Sequence, residues 1–229
     1  MIVGVPREVK ADEYRVGLLP SAAYQLVQRG HRVLVEVGAG VGSGYHDADY
    51  VEAGAILLES PAAVFSEAEL IVKVKEPQPE EVQLLRADQV LFTYLHLAPS
   101  LELTQSLVDC KCTAIAYETI EVNGHLPLLE PMSEIAGRMS VIVGGYYLAK
   151  HHGGSGILLG GVPGVLPGKV VVLGGGVLRS APRLMSRLES QLATGLRRGG
   201  TESVRVLPSL TGECAGIIGA GLLALGDQR

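Results

Sequence analysis

Six short apolar segments, Met1–Val5, His31–Val37, Ala55–Leu58, Leu70–Val74, Val90–Tyr94 and Ala114–Tyr117, are separated by helix-like stretches and brief connections. Few folds are open to a chain written this way. Short apolar strands that alternate with helices need crossover connections, and crossovers give a parallel sheet covered by helices on both faces. His31–Val37 (HRVLVEV) alternates with the period of two that a strand requires. The intervening helices are predicted over Pro20–Arg29, closed by Gly30, and over Asp47–Ala53, Ser60–Ser66, Pro79–Leu85 and Ser100–Asp109. Residues 1–130 are therefore expected to form a doubly wound, Rossmann-like α/β domain. Ligands of such sheets sit at the carboxyl ends of the strands. Lys75, His96 and Glu118 each follow a predicted strand and fall along that one edge.

A second section, residues 131–229, begins near Pro131. Met132–His151 reads as one long helix with Ser133 near its start, followed by a glycine-rich connector, Gly153–Gly168. Lys169–Leu173 (KVVVL) then reads as a strand running into Gly174-Gly175-Gly176. A strand that enters a glycine turn and then a helix is the context of a dinucleotide-binding fingerprint. The pattern breaks off early. Arg179 stands where the third glycine would allow close helix–strand packing, and Pro182 falls inside the would-be helix. The region where an acidic residue would close a second strand reads LATGLRRGG. The expectation is an incomplete dinucleotide-binding Rossmann domain.

Composition narrows the function classes. Apolar residues are 47% of the 229 and charged ones 19%, which excludes general disorder. The 30 glycines follow no three-residue period, which excludes collagen. A net charge of −5 does not favour a nucleic-acid partner. Three cysteines, two of them in a CxC rather than a CxxC, make neither a disulfide framework nor a zinc site. The chain opens MIVGVPREVK without a signal-peptide core, and its longest strongly apolar stretch, Ala215–Gly226, is too short to span a bilayer. A soluble cytoplasmic protein with no membrane partner is expected. His151-His152 invites a metal reading, but adjacent helical residues point apart and no further ligand is evident.

Four stretches carry chemistry together: Tyr14-Arg15-Val16, Val72–Pro77 (VKVKEP), Leu91–Leu97 (LFTYLHL) and Pro131–Arg138 (PMSEIAGR). With Gly160–Val165 (GGVPGV) and the strand–GGG turn they resemble, almost continuously from Met1 to about Val177, the alanine dehydrogenase family, which is related to the nicotinamide nucleotide transhydrogenase α chain. That resemblance implies roles. Arg15 corresponds to the arginine that holds the substrate carboxylate, and Lys75 to the lysine at the keto or amino group. His96 corresponds to the acid/base histidine and Ser133 to a serine that contacts the cofactor, with Gly174 and Gly176 in the cofactor turn. The implied reaction is the reversible NAD-dependent oxidative deamination of L-alanine to pyruvate and ammonia. Homo-oligomers assembled through the long helix, Ser133–Lys150, are also implied. Such residues suit such chemistry: a planar guanidinium takes a carboxylate bidentately, an ammonium polarises a carbonyl, and histidine exchanges protons near neutral pH.

Each residue taken singly has a plainer reading. Arg15 would be a surface ion-pair residue, Lys75 the partner of Glu76, and His96 a half-buried histidine bonded to backbone. Ser133 would be a helix N-cap, and Glu118 a loop acid rather than an orienting carboxylate. Joint occurrence in the four stretches is what assigns the first three. After Val177 the family pattern departs, returning in Ile217–Gly226 as an I-G-A-x-L-x-x-G run. The sequence thus reads as a family member shortened at its C-terminus and altered in its cofactor half, through a frameshift or a true shortening that calls for a partner. The alternative to an active enzyme is a catalytically inactive truncated paralogue serving as a binding or oligomer-interaction module. A transhydrogenase-type nucleotide subunit is disfavoured by LFTYLHL and PMSEIAGR.

Overall fold

A computed structural model of the chain describes residues 1–154, 156 and 158–165, together with the backbone of 169–173 and 221–225. Six parallel strands, β1 (Ile2–Val5), β2 (Arg32–Glu36), β3 (Ile56–Leu58), β4 (Leu70–Val72), β5 (Val90–Thr93) and β6 (Thr113–Ala116), lie in the order β3-β2-β1-β4-β5-β6. Every neighbouring pair is parallel, from Val3 opposite Val33 to Leu91 opposite Ala114. The strand order reverses between β1 and β4, the switch point at which sheets of this kind carry their ligand crevice.

The helices are α1 (Pro20–Gln28), α2 (Asp47–Glu52), α3 (Pro61–Glu67), α4 (Pro79–Val82) and α5 (Leu101–Cys110). Local chemistry sets their ends. Pro20, Pro61 and Pro79 stand at first-turn positions, where a missing N–H costs nothing. The Ser60 and Ser100 hydroxyls accept from the backbone N–H of Ala63 and Leu103. Alternation along the strands divides the core in two. Val5, Val33 and Val35 pack with Ala23 of α1 and Tyr50 of α2, while Ile71 and Leu91 pack with Val64 and Phe65 of α3 and Leu107 of α5. Gly4 lets α3 approach the sheet: a Cβ there would stand 2.6 Å from that of Ala68.

Met1–Leu129 forms one compact unit and Glu130–Arg229 another. The second contains a long helix, α6 (Glu130–Leu148), then a 3-10 turn at Lys150–His152, where the two histidine rings lie 4.0 Å apart. Val162 and Val165 pair across a tight Pro163-Gly164 turn. Strands β7 (Lys169–Leu173) and β8 (Gly221–Leu225) pair antiparallel, where a strand–helix–strand unit would make them parallel. Gly174, Gly176, Arg179 and Pro182 lie outside the described residues. Among the described residues no helix is long and apolar enough to cross a membrane.

Candidate functional site

The crevice between β1 and β4 is built on buried charge. Lys73, the first residue beyond β4, is fully buried, and its ammonium lies 2.7 Å from Glu81 and 3.2 Å from Glu8. Glu8, in the loop after β1, accepts the backbone N–H of Val74 at 2.6 Å with one oxygen. Its other oxygen accepts that of Lys75 at 3.4 Å. Glu81, at the start of α4, accepts the N–H of Gln78 at 2.8 Å. The carbonyls of the same short segment are held as well: Tyr117 donates its hydroxyl to Lys73 and Thr93 donates its own to Lys75, each at 2.7 Å. Residues 73–75 are thus fastened from the loops or ends of three other strands. Burial pushes the Glu8 carboxyl above the usual carboxylate range despite the neighbouring Lys73. Burial, with the charge of Glu8, also raises the Tyr117 phenol and keeps it a donor.

Arg15 lies in the same loop as Glu8. Glu13 holds one side of its guanidinium in a fork, Nε at 2.9 Å and Nη2 at 2.6 Å. Burial alone would raise the Glu13 carboxyl, but the hydrogen bonds and charge of Arg15 outweigh it and hold that carboxyl below its ordinary value. Two contacts place the loop. Gly17 passes so close to β4 that a Cβ on it would meet the Val72 carbonyl oxygen at 2.8 Å. The Tyr14 carbonyl accepts the Ser43 hydroxyl at 3.2 Å.

Lys75 and His96 meet around Tyr94. The Lys75 ammonium sits 5.8 Å from the Tyr94 ring centroid, and the His96 ring stands 5.9 Å away, nearly edge-on at 79°. His96 has a positive φ of 48°, an uncommon backbone state for a residue with a Cβ. Its N–H donates to Glu118 at 2.6 Å, and the preceding N–H, of Leu95, reaches both oxygens of the same carboxylate at 3.2 Å. Burial, then the charges of Glu118 and Glu76, raises the Tyr94 phenol and keeps it neutral.

The carboxyl edge therefore carries Lys75, His96 and Glu118 as the strand pattern predicts, with the Arg15 loop leaving β1 at the same edge. Several plainer readings are corrected. Glu76 pairs with Lys10, not with Lys75, because Lys75 turns onto the Tyr94 ring. Glu118 is no idle loop acid. Ser133 is no N-cap: α6 begins at Glu130, so Ser133 is its fourth residue, and exposed. Glu8, Lys73, Glu81 and Tyr94 went unnoticed in the sequence, although Lys73 and Tyr94 sit inside the stretches VKVKEP and LFTYLHL that pointed to the site. A guanidinium, an ammonium and an imidazole along one strand edge, with an aromatic ring beside the last two, can bind a small anion, polarise a carbonyl and move a proton. Among the described residues no three His, Cys, Asp or Glu side chains gather to hold a metal ion.

Residues 4–136 match the family "Alanine dehydrogenase/PNT, N-terminal domain", and residues 140–192 match "Alanine dehydrogenase/PNT, C-terminal domain". The alanine dehydrogenase of Methanococcus maripaludis is 53% identical over 179 residues, 78% of this chain and 48% of that protein. That of Bacillus subtilis is 55% identical over 178 residues, 78% of this chain and 47% of that protein. A solved L-alanine dehydrogenase aligns with a TM-score of 0.69 at 48% identity, over 88% of this chain and 59% of that one. A transhydrogenase from Sinorhizobium meliloti aligns with a TM-score of 0.56 at 26% identity, over 64% of this chain and 42% of that one. The chain spans about half the length of the curated relatives it matches.

Proposed function

The chain belongs to the alanine dehydrogenase/PNT family, and from that premise we propose that it carries the substrate site of a reversible, NAD-dependent L-alanine dehydrogenase. The observation that supports this most is the placement of Lys75 and His96 close to the Tyr94 ring centroid, at 5.8 Å and 5.9 Å, at the carboxyl edge of a doubly wound sheet. Arg15, held in orientation by Glu13, takes the carboxylate of pyruvate or alanine. Lys75 polarises the keto oxygen, where negative charge develops as ammonia adds. His96 gives the proton that lets water leave and takes it back in the reverse direction. Tyr94, neutral and apolar in its ring, shields the reacting carbon from water.

For the cofactor, the fitting feature is a strand, β7, that runs directly into Gly174-Gly175-Gly176, where a dinucleotide's pyrophosphate approaches backbone closely. Gly174, Gly176 and the exposed Ser133 are the residues assigned to it. A bound nicotinamide would supply the hydride chemistry. The assembly we assign is a homo-oligomer through α6, whose Ile135, Met139, Ile142 and Tyr146 are exposed at intervals of three and four residues and line one helix face. The free thiols of Cys110 and Cys112 suit a reducing, cytoplasmic setting.

Calorimetry of NADH binding to the purified chain, with and without pyruvate, tests the reading. NADH affinity that tightens with pyruvate, and an alanine-dependent production of NADH lost in His96→Ala, are the expected results. Folded protein that binds no NADH at millimolar concentration would overturn the enzyme reading and leave the inactive binding module.

A further inference from the structure

We infer that Glu118 is the positioning residue of His96: its carboxylate is a cradle that holds the His96 backbone in a left-handed state and so presents the imidazole beside Tyr94. The inference rests on the reading of His96 as the acid/base group and extends it to the carboxylate that accepts its backbone N–H. A left-handed non-glycine residue lies higher in energy by about 1–2 kcal/mol, so something around it must over-determine that state. Here the determinant is visible. One oxygen of Glu118 accepts His96 N–H at 2.6 Å and Leu95 N–H at 3.2 Å, while the second accepts Leu95 N–H at 3.2 Å.

Two successive N–H groups aimed at one anion make a concave nest, which backbone alone would leave open to water or to a foreign anion. The chain fills it from the next strand over. Glu118 lies in the 3-10 turn Tyr117–Thr119 that directly follows β6, and β6 pairs with β5, which carries Tyr94 and His96 just past its end. Tyr117 in that turn donates to the Lys73 carbonyl. One turn thus ties His96 to the segment that bears Lys75. The placement of a proton-transfer group matters steeply, because productive geometry is held to within about half an ångström.

The test uses the full 229-residue chain, isotope-labelled, as wild type, Glu118→Ala and Glu118→Gln. Amide hydrogen exchange at Leu95 and His96 reads the two hydrogen bonds, and exchange at Phe92, inside β5, reads the sheet. The nuclear Overhauser contact between the His96 and Tyr94 rings reads the imidazole's placement, and a pyruvate titration reads the site. In Glu118→Ala the Leu95 and His96 amides should exchange about tenfold faster or more, with Phe92 still protected. The ring contact should disappear, and pyruvate binding should weaken about tenfold. Glutamine loses the charge and one acceptor, but its remaining oxygen can take the place of the one that accepts both the His96 and Leu95 N–H groups, so Glu118→Gln should keep the ring contact and most of the affinity.

A ring contact that survives in Glu118→Ala, or full pyruvate affinity with both amides deprotected, would overturn the inference. Should the alanine variant lose protection at Phe92 too, the glutamine variant decides. With an intact sheet, a retained ring contact supports the cradle and a lost one refutes it. A wild-type chain that binds no pyruvate refutes the alanine dehydrogenase reading instead, while exchange and ring contact still decide the role of Glu118.

Discussion

Lys73 and Lys75 differ by two positions in one apolar stretch, and their fates are opposite. Lys73 is sealed between Glu8 and Glu81, whereas Lys75 emerges beside an aromatic ring. Alternation alone cannot separate them, because residues two apart in a strand share a face. What separates them is the supply of carboxylates from loops that are distant in the chain. Lys73→Met should therefore leave two buried carboxylates uncompensated and cost about 3–5 kcal/mol, read by urea unfolding. Glu13 permits a pH test. Its folded carboxyl titrates below the ordinary 4.5, so the unfolded chain binds more protons in that window. The stability this contributes is present above pH 4.5 and is lost as pH falls through the folded value. Glu13→Gln should narrow the gain in stability that wild type shows as pH rises through that window. Unfolding curves that stay parallel across it would refute the assignment.

At the scale of elements, glycine and proline explain how the loops reach their places. The loop after β1 can bring Arg15 to the crevice only because Gly17 lies against β4 without a side chain. Gly17→Ala should force backbone apart there, costing about 1–3 kcal/mol in thermal or denaturant unfolding. If the Arg15 loop holds the substrate carboxylate, the same change should weaken pyruvate binding. Helix ends were legible because their causes are local: prolines in first turns, and serines that cap α3 and α5. Ser133 failed as a cap for an equally local reason, since α6 starts three residues earlier. The geometry around His96 was not legible. A positive φ at a histidine has no sequence signature, and the carboxylate that holds it comes from 22 residues away.

The molecule as a whole divides at Leu129, and all six parallel strands with both of their core clusters lie before that point. Residues 1–129 should accordingly fold alone, giving a dispersed amide spectrum and one cooperative unfolding transition; a collapsed, poorly dispersed spectrum would refute this. If α6 is the assembly surface, Ile142→Glu should shift sedimentation from oligomer to monomer, since a buried charge without a partner opposes association. The alternation of apolar strand and polar-faced helix was enough to settle the α/β class, the extents of the elements to within a few residues and the strand edge that Lys75, His96 and Glu118 share, because backbone hydrogen bonding and side-chain period are local matters. The family could be read from the same letters, through VKVKEP, LFTYLHL and PMSEIAGR. Only the folded chain decided which lysine is buried, which carboxylate holds which loop, and that Lys75 and His96 both approach the Tyr94 ring. Those outcomes depend on groups far apart in sequence, brought within about 3–6 Å by a strand order no local pattern encodes.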